Sequence, residues 1–456
     1  MNIYLHVEVA VREIDSKLLL ATLAAARGHQ VIVSDLEPLE KGIIRGHLMP
    51  GIFHTKSISP GKLKIERHNK IINSGSKVTS MDEESGVADY DYDQMLKNRY
   101  SEKTIQQASA IFTWGEDDDE SLKKNYQKYS AKIHKTGSPR VDLWKSIFLQ
   151  YWGLPKNAPT KPFLLISSSM SVCDSVAFHE RIKNHTEFGY FQRNPDYFKE
   201  LFKVQANDYL KAFTFVEAIR YLSKHNNGFD IVLRPHPVES IECWKILLEG
   251  IPNVHINREG SITSWVKNSF AVMHNGCTTA VETLISKKPL ITYVSPDLNY
   301  NNCLTNELGY IVRSKEDLLN RIKALFEKIK SNNQEDLSVQ LPKKFSKKIY
   351  LDENELAAKK IIKIWESLDD QSLSRPNNWL TYKWRLQLMN FNGLVGRILK
   401  FFIKGKFEVK KENPKFPSIE INEIRKSVKT FQEVLGINKK LECRYLSKHS
   451  VLIKLK

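Results

Sequence analysis

The first 34 residues carry a β-α-β pattern that restricts the chain to a small group of folds. Apolar alternation over residues 3–11 predicts a strand, and residues 17–27 predict a helix that ends at Gly28. A second strand is predicted at Gln30–Ser34. This opening is typical of a parallel, doubly wound α/β domain.

A second domain of the same class is predicted after a proline-rich stretch. Residues 152–162 contain three prolines and a glycine, and strands alternate with helices again beyond them. We therefore expect an α/β protein with two Rossmann-like doubly wound domains facing a cleft, at residues 1–150 and 160–345. Residues 346–456 are expected to form a helical, basic C-terminal region.

The positive charge of the chain is concentrated near its C-terminus. The net charge is +17, and residues 376–456 alone contain 18 Lys and Arg against 6 Asp and Glu. Residues 378–404 mix Trp, Phe and Leu with Lys and Arg at near-helical spacing, which favours a helix on an anionic membrane surface. A helix packed on the domains is the alternative. No nucleic-acid-binding module is recognisable, so we expect no nucleic-acid partner.

The remaining composition excludes several classes of protein. No apolar run of about 18 residues occurs, and the N-terminus lacks a basic region followed by a cleavage site. We expect a cytoplasmic protein that is peripheral at the inner face of a membrane. The five cysteines show no C-x-x-C spacing, so neither a zinc knuckle nor a disulfide framework is indicated.

The strongest local motif is Leu233-Arg-Pro-His-Pro237, which follows a predicted buried strand. Open α/β sheets bind ligands at the carboxyl ends of their strands. The Arg234 guanidinium can bind a phosphate through two hydrogen bonds, and His236 can donate to a phosphate oxygen. The alternative is a rigid turn in which both side chains only cap neighbouring elements.

A second motif joins a strand to a helix through small residues. Asn275 and Gly276 allow close approach of a ligand, and Thr278 and Thr279 offer hydroxyls near a helix N-terminus. Glu282 could bind ribose hydroxyls or complete a capping box. The alternative is a capped helix with no ligand.

A serine-rich loop follows the first strand of the second domain. Ser167, Ser168 and Ser169 place hydroxyls at the same predicted sheet edge, although such loops are often only linkers. A nucleoside phosphate or sugar nucleotide bound by the second domain accounts for all three motifs.

Carboxylates follow two predicted strands of the first domain. Glu13 follows the first strand, and Asp82 and Glu83 follow a later one. A carboxylate at a sheet edge can act as a base or a nucleophile, and clustering raises carboxylate pKa values. The alternative is an acidic first turn of a helix. That second reading is preferred for Asp117–Asp119, so we expect no metal and no cofactor.

Seven segments carry a resemblance to a known family: residues 11–21, 82–86, 112–115, 136–140, 234–237, 259–265 and 277–280. In these segments the sequence resembles bacterial surface-carbohydrate biosynthesis proteins, which look like glycosyltransferases of the two-Rossmann (GT-B) architecture. The His-Pro pair is similar to that of enzymes that use CMP-activated sialic, pseudaminic or legionaminic acid or Kdo.

The resemblance implies roles for particular residues. His236 and Pro237 would contact the CMP phosphate, and Thr278 and Thr279 stand where the family has a Ser-Ser pair for the same phosphate. The Thr-Thr pair departs from the family pattern.

The resemblance also implies a ribose-binding glutamate and a reaction. Glu259 is the nearest candidate by spacing, and Glu282 is its competitor. The implied function is transfer of an acidic sugar from a CMP-sugar to a surface or lipid-linked glycan. A UDP-sugar 2-epimerase, a CDP-polyol phosphotransferase and a catalytically silent scaffold of a glycan assembly complex are the alternatives.

Overall fold

A computed structural model shows two compact units in the chain. One unit comprises Met1–Tyr151 and Lys343–Lys456, and the other comprises Trp152–Pro342. The structure describes residues 1–83, 85, 96, 99–170, 177–187, 189–225, 228–296, 304–331, 341–369, 371–388, 415, 416 and 418–456.

The described strands and helices follow one another as in α/β proteins. The strands are β1 (Asn2–His6), β2 (Gln30–Ser34), β3 (Ile52–Thr55), β4 (Lys77–Met81), β5 (Ala108–Thr113), β6 (Ile133–Lys135), β7 (Phe163–Ser167), β8 (Asp230–Arg234), β9 (Val254–Ile256), β10 (Ala271–His274), β11 (Leu290–Tyr293), β12 (Tyr310–Val312), β13 (Leu441–Ser447) and β14 (Ser450–Leu455). The helices are α1 (Ala10–Ala26), α2 (Leu36–Ile44), α3 (Lys62–Asn73), α4 (Glu102–Gln107), α5 (Glu116–Asn125), α6 (Pro139–Asp142), α7 (Phe178–Glu187), α8 (Tyr190–Arg193), α9 (Asp196–Lys224), α10 (Ile241–Leu247), α11 (Ile262–Asn268), α12 (Thr279–Ile285), α13 (Lys315–Lys330), α14 (Lys343–Lys348), α15 (Ala357–Ser367) and α16 (Ile421–Val434).

The sheet of the first unit has the order β13-β14-β2-β1-β3-β4-β5-β6. Strands β1 to β6 are parallel, and Ile3 pairs with Val31 on one side and Ile52 on the other. The chain proceeds from β1 to β2 in one direction and from β3 to β6 in the other. The carboxyl ends of β1 and β3 therefore form a topological switch point, where such sheets bind ligands.

The predicted β-α-β opening is confirmed, with a shift in its boundaries. The strand ends at His6, and α1 begins at Ala10 instead of near Lys17. The residues of α1 from Leu18 to Ala25 are buried between the sheet and the helices α6, α15 and α16, and Gly28 follows the helix with φ of +98°. A positive φ suits glycine at a helix end, which is why the predicted stop is placed correctly.

The sheet of the second unit is parallel throughout, with the order β12-β11-β10-β7-β8-β9. Its core lies between the strands and helices α9 and α13, where Phe215, Ile219 and Ile322 are fully buried. Strand β7 lies between β10 and β8, so the switch point of this sheet is at the end of β7. The expected α/β class is thus confirmed in both units.

The C-terminal region differs from the helical extension that we predicted. Strands β13 and β14 form an antiparallel hairpin, and β14 pairs with β2 through Val451 and Val33. Residues 450–453 are buried because they continue the first sheet at that edge. The apolar run Val451–Ile453, which is typical of a strand buried on both faces, was the available signal in the sequence.

The start of the predicted membrane segment packs on the first unit. Residues 379–388 are helical, and Tyr382 and Leu386 are buried in the core while Leu380 and Trp384 are 79% and 53% exposed. Residues 389–404 of the segment lie outside the described part. Among the described helices, none has the length and apolar character to cross a membrane.

Candidate functional site

Two hydroxyl groups and a thiol meet at the switch point of the second sheet. Ser167 is the last residue of β7, and its Oγ lies 3.4 Å from Thr279 Oγ1 at the start of α12. Cys277 Sγ lies 3.1 Å from Ser167 Oγ and 3.2 Å from Thr279 Oγ1. Thr278 is exposed beside this cluster. The predicted Thr-Thr motif and serine loop are therefore brought together where such a sheet binds ligands.

His236 lies in the loop that follows β8, the strand next to β7. The backbone N–H of Val238 donates to His236 Nδ1 at 3.4 Å. A neutral imidazole whose Nδ1 accepts a hydrogen bond carries its proton on Nε2. His236 is half-buried and Pro237 is exposed. The ring can therefore donate from Nε2 to an anionic oxygen.

The buried carboxylate of Glu239 joins the serine loop to the His-Pro loop. It accepts hydrogen bonds from Ser168 Oγ at 2.5 Å and from the N–H of Met170 at 2.5 Å. It also accepts from the N–H of His236 at 3.3 Å and from Trp244 Nε1 at 2.8 Å. Ser168 is thus engaged inside the protein, whereas Ser169, next in the chain, is half-buried.

Arg258 fixes the backbone of the same loop. Its Nη1 donates to the carbonyl oxygens of Pro237 at 3.0 Å and Glu239 at 2.8 Å. Our sequence analysis missed both Arg258 and Glu239. The available signal for Glu239 was its position just before Ser240, which caps α10. Acidic residues usually occupy the first turn of a helix, and Glu239 lies outside that turn.

We expect Glu239→Ala to lower the free energy of unfolding by about 3 kcal/mol, because four donors lose their buried acceptor. Urea unfolding followed by circular dichroism measures this loss. Glu242→Ala is the matched control, since the Glu242 side chain is 74% exposed and its Oε1 lies 2.7 Å from Lys245 Nζ on the same helix. Equal stability of the two variants would contradict the role assigned to Glu239.

The Arg234 guanidinium, which we predicted to bind a phosphate, is engaged by carbonyl groups of the second unit, and its phosphate-binding role stays a prediction. Its Nη1 donates to the carbonyl of Glu259 at 2.9 Å, and its Nη2 donates to the carbonyl of Gly260. The guanidinium is buried and lies 6.0 Å from the ring centroid of Trp265. Burial lowers the pKa of Arg234 to about 10, although the charge of Glu282 opposes the change. Arg234 therefore holds the 259–260 loop beside the site.

The two candidate ribose ligands lie in different surroundings. Glu282 is buried on α12, and its charge favours the protonated forms of Arg234 and Lys267. Glu259 is exposed, and its Oε2 accepts from Asn157 Nδ2 at 3.1 Å. Both assignments therefore stay predictions.

Asn275 and Gly276 are held by contacts within the second unit. Asn275 Nδ2 donates to the carbonyl of Tyr293 at 2.8 Å, and Asn306 Nδ2 donates to Asn275 Oδ1 at 3.0 Å. The N–H of Gly276 donates to Asn306 Oδ1 at 2.6 Å, with Gly276 at φ of +75°. These residues shape the loop, and Asn306 is a supporting residue that our sequence analysis missed.

His274 supports the other end of this loop. The N–H of Cys277 donates to its Nδ1 at 3.4 Å, and its Nε2 lies 2.8 Å from Thr292 Oγ1. Thr292 donates in turn to the carbonyl of Leu308. Burial lowers the pKa of His274 to about 3, so it is a neutral structural residue.

In the first unit, Glu13 lies at the carboxyl end of β1. Its carboxylate accepts from the N–H of Glu8 at 2.8 Å and of Val9 at 3.3 Å, and Lys56 Nζ lies 3.9 Å away. Burial and the charge of Glu83 raise the pKa of Glu13 to about 6. A carboxylate with this pKa is suited to act as a base near neutral pH.

The other two predicted carboxylates, which follow β4, are paired. Glu83 accepts from Lys17 Nζ at 2.6 Å, and both side chains are buried. Asp82 accepts from Arg99 Nη1 at 2.9 Å. Lys17 was not predicted, because a lysine in a helix is usually solvated. Both carboxylates are therefore engaged by a cationic side chain, as buried charges usually are.

One described residue of the basic C-terminal region reaches this site. The carbonyl of Lys415 accepts from the N–H of Ala10, and its Nζ lies 3.4 Å from Glu8 Oε1. Lys56 Nζ contacts the other oxygen of Glu8 at 3.0 Å. The basic region thus contributes a charge beside Glu8, whose backbone N–H donates to Glu13.

The Asp117–Asp119 run forms the acidic first turn of α5. Asp118 accepts from the N–H groups of Trp114 and Gly115 at 2.9 Å, and Asp119 pairs with Lys123 at 2.8 Å. Among the described residues, no group of three or more His, Cys, Asp or Glu side chains has an arrangement suited to a metal. The absence of a metal or cofactor requirement stays a prediction.

Comparisons with known proteins give a likeness of fold only. No family model and no curated protein matches the sequence. Solved structures that resemble it include S. aureus MnaA with UDP (14% identity, 81% of this chain and 97% of that one, TM-score 0.45). A Neisseria meningitidis UDP-GlcNAc 2-epimerase bound to UDP-GlcNAc is 12% identical, with 80% of this chain and 100% of that one covered and a TM-score of 0.44. The wall teichoic acid polymerase TagF is 11% identical, with 80% of this chain and 88% of that one covered and a TM-score of 0.41. Likenesses at these scores are too weak to assign a reaction or a substrate.

Proposed function

We propose that the protein is a glycosyltransferase that moves an acidic sugar from a CMP-sugar donor to a surface or lipid-linked glycan. The observation that carries the proposal is the cluster at the end of β7, where Ser167 and Thr279 hydroxyls meet. It adjoins the loop after β8 that carries His236. Hydroxyl groups and an imidazole N–H at a switch point suit a phosphate. The choice of CMP as the nucleotide and of an acidic sugar rests on the resemblance of the sequence motifs.

In the proposed reaction, the second unit stabilises the leaving group. The bond between the anomeric carbon and the CMP phosphate oxygen breaks, and negative charge develops on that oxygen. His236 Nε2–H and the Ser167 and Thr279 hydroxyls donate to the phosphate. Arg234 and Glu239 act as positioning residues, because they hold the loops that carry these donors.

The first unit supplies the base. Glu13 takes the proton of the acceptor hydroxyl as its oxygen forms the new bond to the anomeric carbon. Its pKa of about 6 keeps it ionised at neutral pH.

A thermal-shift panel of nucleotides tests the donor. Saturating CMP is expected to stabilise the protein by about 3 kcal/mol at 100 times its Kd, with UDP inactive. Stabilisation by UDP alone would favour the epimerase, and a response only to CDP would favour the polyol phosphotransferase. A protein that responds to no nucleotide would contradict the proposal and favour a scaffold.

We also infer that the basic C-terminal region contacts an anionic membrane surface. Leu380 and Trp384 are exposed on the helix of residues 379–388, beside Lys383 and Arg385. Apolar and basic side chains together are typical of interfacial helices. Sedimentation with phosphatidylglycerol vesicles, but not with phosphatidylcholine vesicles, is the expected result. Failure to sediment with either vesicle type, or equal sedimentation with both, would contradict this inference.

A further inference from the structure

The ammonium group of Lys64 on α3 is held by hydroxyl groups. Its Nζ donates to Ser59 Oγ at 2.7 Å and to Ser57 Oγ at 3.2 Å. An ammonium has three protons to donate, and these hydroxyls accept two. The side chain is only partly exposed. Lys64 therefore has one N–H left to donate. In the described part of the chain, no carboxylate forms an ion pair with it at hydrogen-bond distance.

The charges around Lys64 favour a bound anion. Burial lowers the pKa of Lys64, and the positive charges of Arg67 and Lys56 lower it further. Glu8 and Asp82 act in the opposite direction. Glu8 pairs with Lys56, Asp82 with Arg99 and Arg67 with Glu40, so among these charges Lys64 is the cation held by hydroxyls alone. An added negative group would relieve this repulsion and stabilise the charged form of Lys64.

The position of these lysines connects them to the candidate base. Lys56 and Ser57 directly follow β3, at the switch point of the first sheet. Lys56 Nζ lies 3.0 Å from Glu8 and 3.9 Å from Glu13. A ligand group held by Lys56 would therefore lie close to the Glu13 carboxylate.

We propose that Lys56 and Lys64, with the hydroxyls of Ser57 and Ser59, form an anion subsite that binds a carboxylate or phosphate of the acceptor. The assignment to an acceptor rests on the proposed function, whereas anion binding itself does not. An acidic sugar residue and a polyol or lipid phosphate are the two sources of such a group. The lysines provide charge, and the serines orient the Lys64 ammonium.

Thermal shift with two probes, inorganic phosphate and free N-acetylneuraminic acid, tests the subsite at constant ionic strength. Lys64→Gln is expected to lose at least two thirds of the anion-induced rise in Tm. Lys62→Gln is the matched control, because Lys62 is an exposed lysine on the same helix. A larger effect of the sugar acid indicates a carboxylate, and a larger effect of phosphate indicates a phosphate.

Two results would overturn the subsite: an unchanged anion response in Lys64→Gln, or no anion response in the wild type beyond that of chloride. If Lys64→Gln fails to fold, Lys56→Gln is measured in its place and is expected to lose the same response. CMP is added in a parallel series. An anion response without a CMP response would leave the subsite standing and contradict the proposed donor, so the two failures are distinguishable.

Discussion

Replacing His236 by alanine is expected to lower kcat for CMP release by about 10²–10³-fold, the range for loss of one hydrogen-bond donor to a developing negative charge. The physical reason is that the N–H of Val238 donates to Nδ1, so a neutral ring carries its proton on Nε2, the atom that donates to the phosphate in the proposed reaction. The loop itself is held by Glu239 and Arg258, so the fold should survive the substitution. Steady-state kinetics with CMP-sugar measure the loss of kcat, and circular dichroism measures whether the fold is retained.

His255→Ala is the control for this variant. His255 lies on β9 in the same unit, with a side chain that is 43% exposed and 3.1 Å from Asp230. The kcat of the His255→Ala enzyme should remain within about twofold of the wild type, since surface substitutions away from a site have small effects. A His236→Ala enzyme with wild-type turnover would remove His236 from the mechanism.

Glu13→Gln is expected to lower kcat by about 10²–10⁴-fold while stabilisation by CMP is retained. A base must be ionised, and burial raises the pKa of Glu13 to about 6. The wild-type rate should therefore fall as the pH drops through about 6, and this acidic limb should be absent in the variant. Because Glu83 interacts with Glu13, the limb describes the pair and not one residue.

The comparison that isolates this effect is Glu37→Gln, which changes an exposed glutamate paired with Lys41 on α2. It should keep the wild-type rate and pH profile. Retention of the acidic limb in Glu13→Gln would assign the base to another group. Loss of CMP binding in that variant would show that the substitution acts on more than the acceptor side.

The sequence predicted the elements whose signals are local. The helix stop at Gly28 depends on a positive φ, and the strands are marked by apolar runs, so both were predictable. The motif around His236 follows a strand, and the topology then places it at the carboxyl end of β8. A shared sheet edge for Ser167 and Thr279 was predicted, whereas their contact depends on β7 and β10 being neighbours, which the structure shows.

Features that depend on distant contacts could not be predicted. The Arg234 guanidinium binds carbonyls at residues 259 and 260, and nothing near residue 234 indicates those partners. The pair of Lys17 with Glu83 joins residues 66 positions apart. In each case a charged side chain is buried because a partner from elsewhere in the chain satisfies it, and only the tertiary structure reveals that partner.

The most direct test is CMP release by the purified protein from a panel of CMP-activated acidic sugars, with an acceptor glycan present. We expect release from at least one CMP-sugar, and incorporation of that sugar into the acceptor in equal amount. Release should be lost in His236→Ala. The absence of both CMP release and CMP binding with every donor of this class would contradict the proposed function.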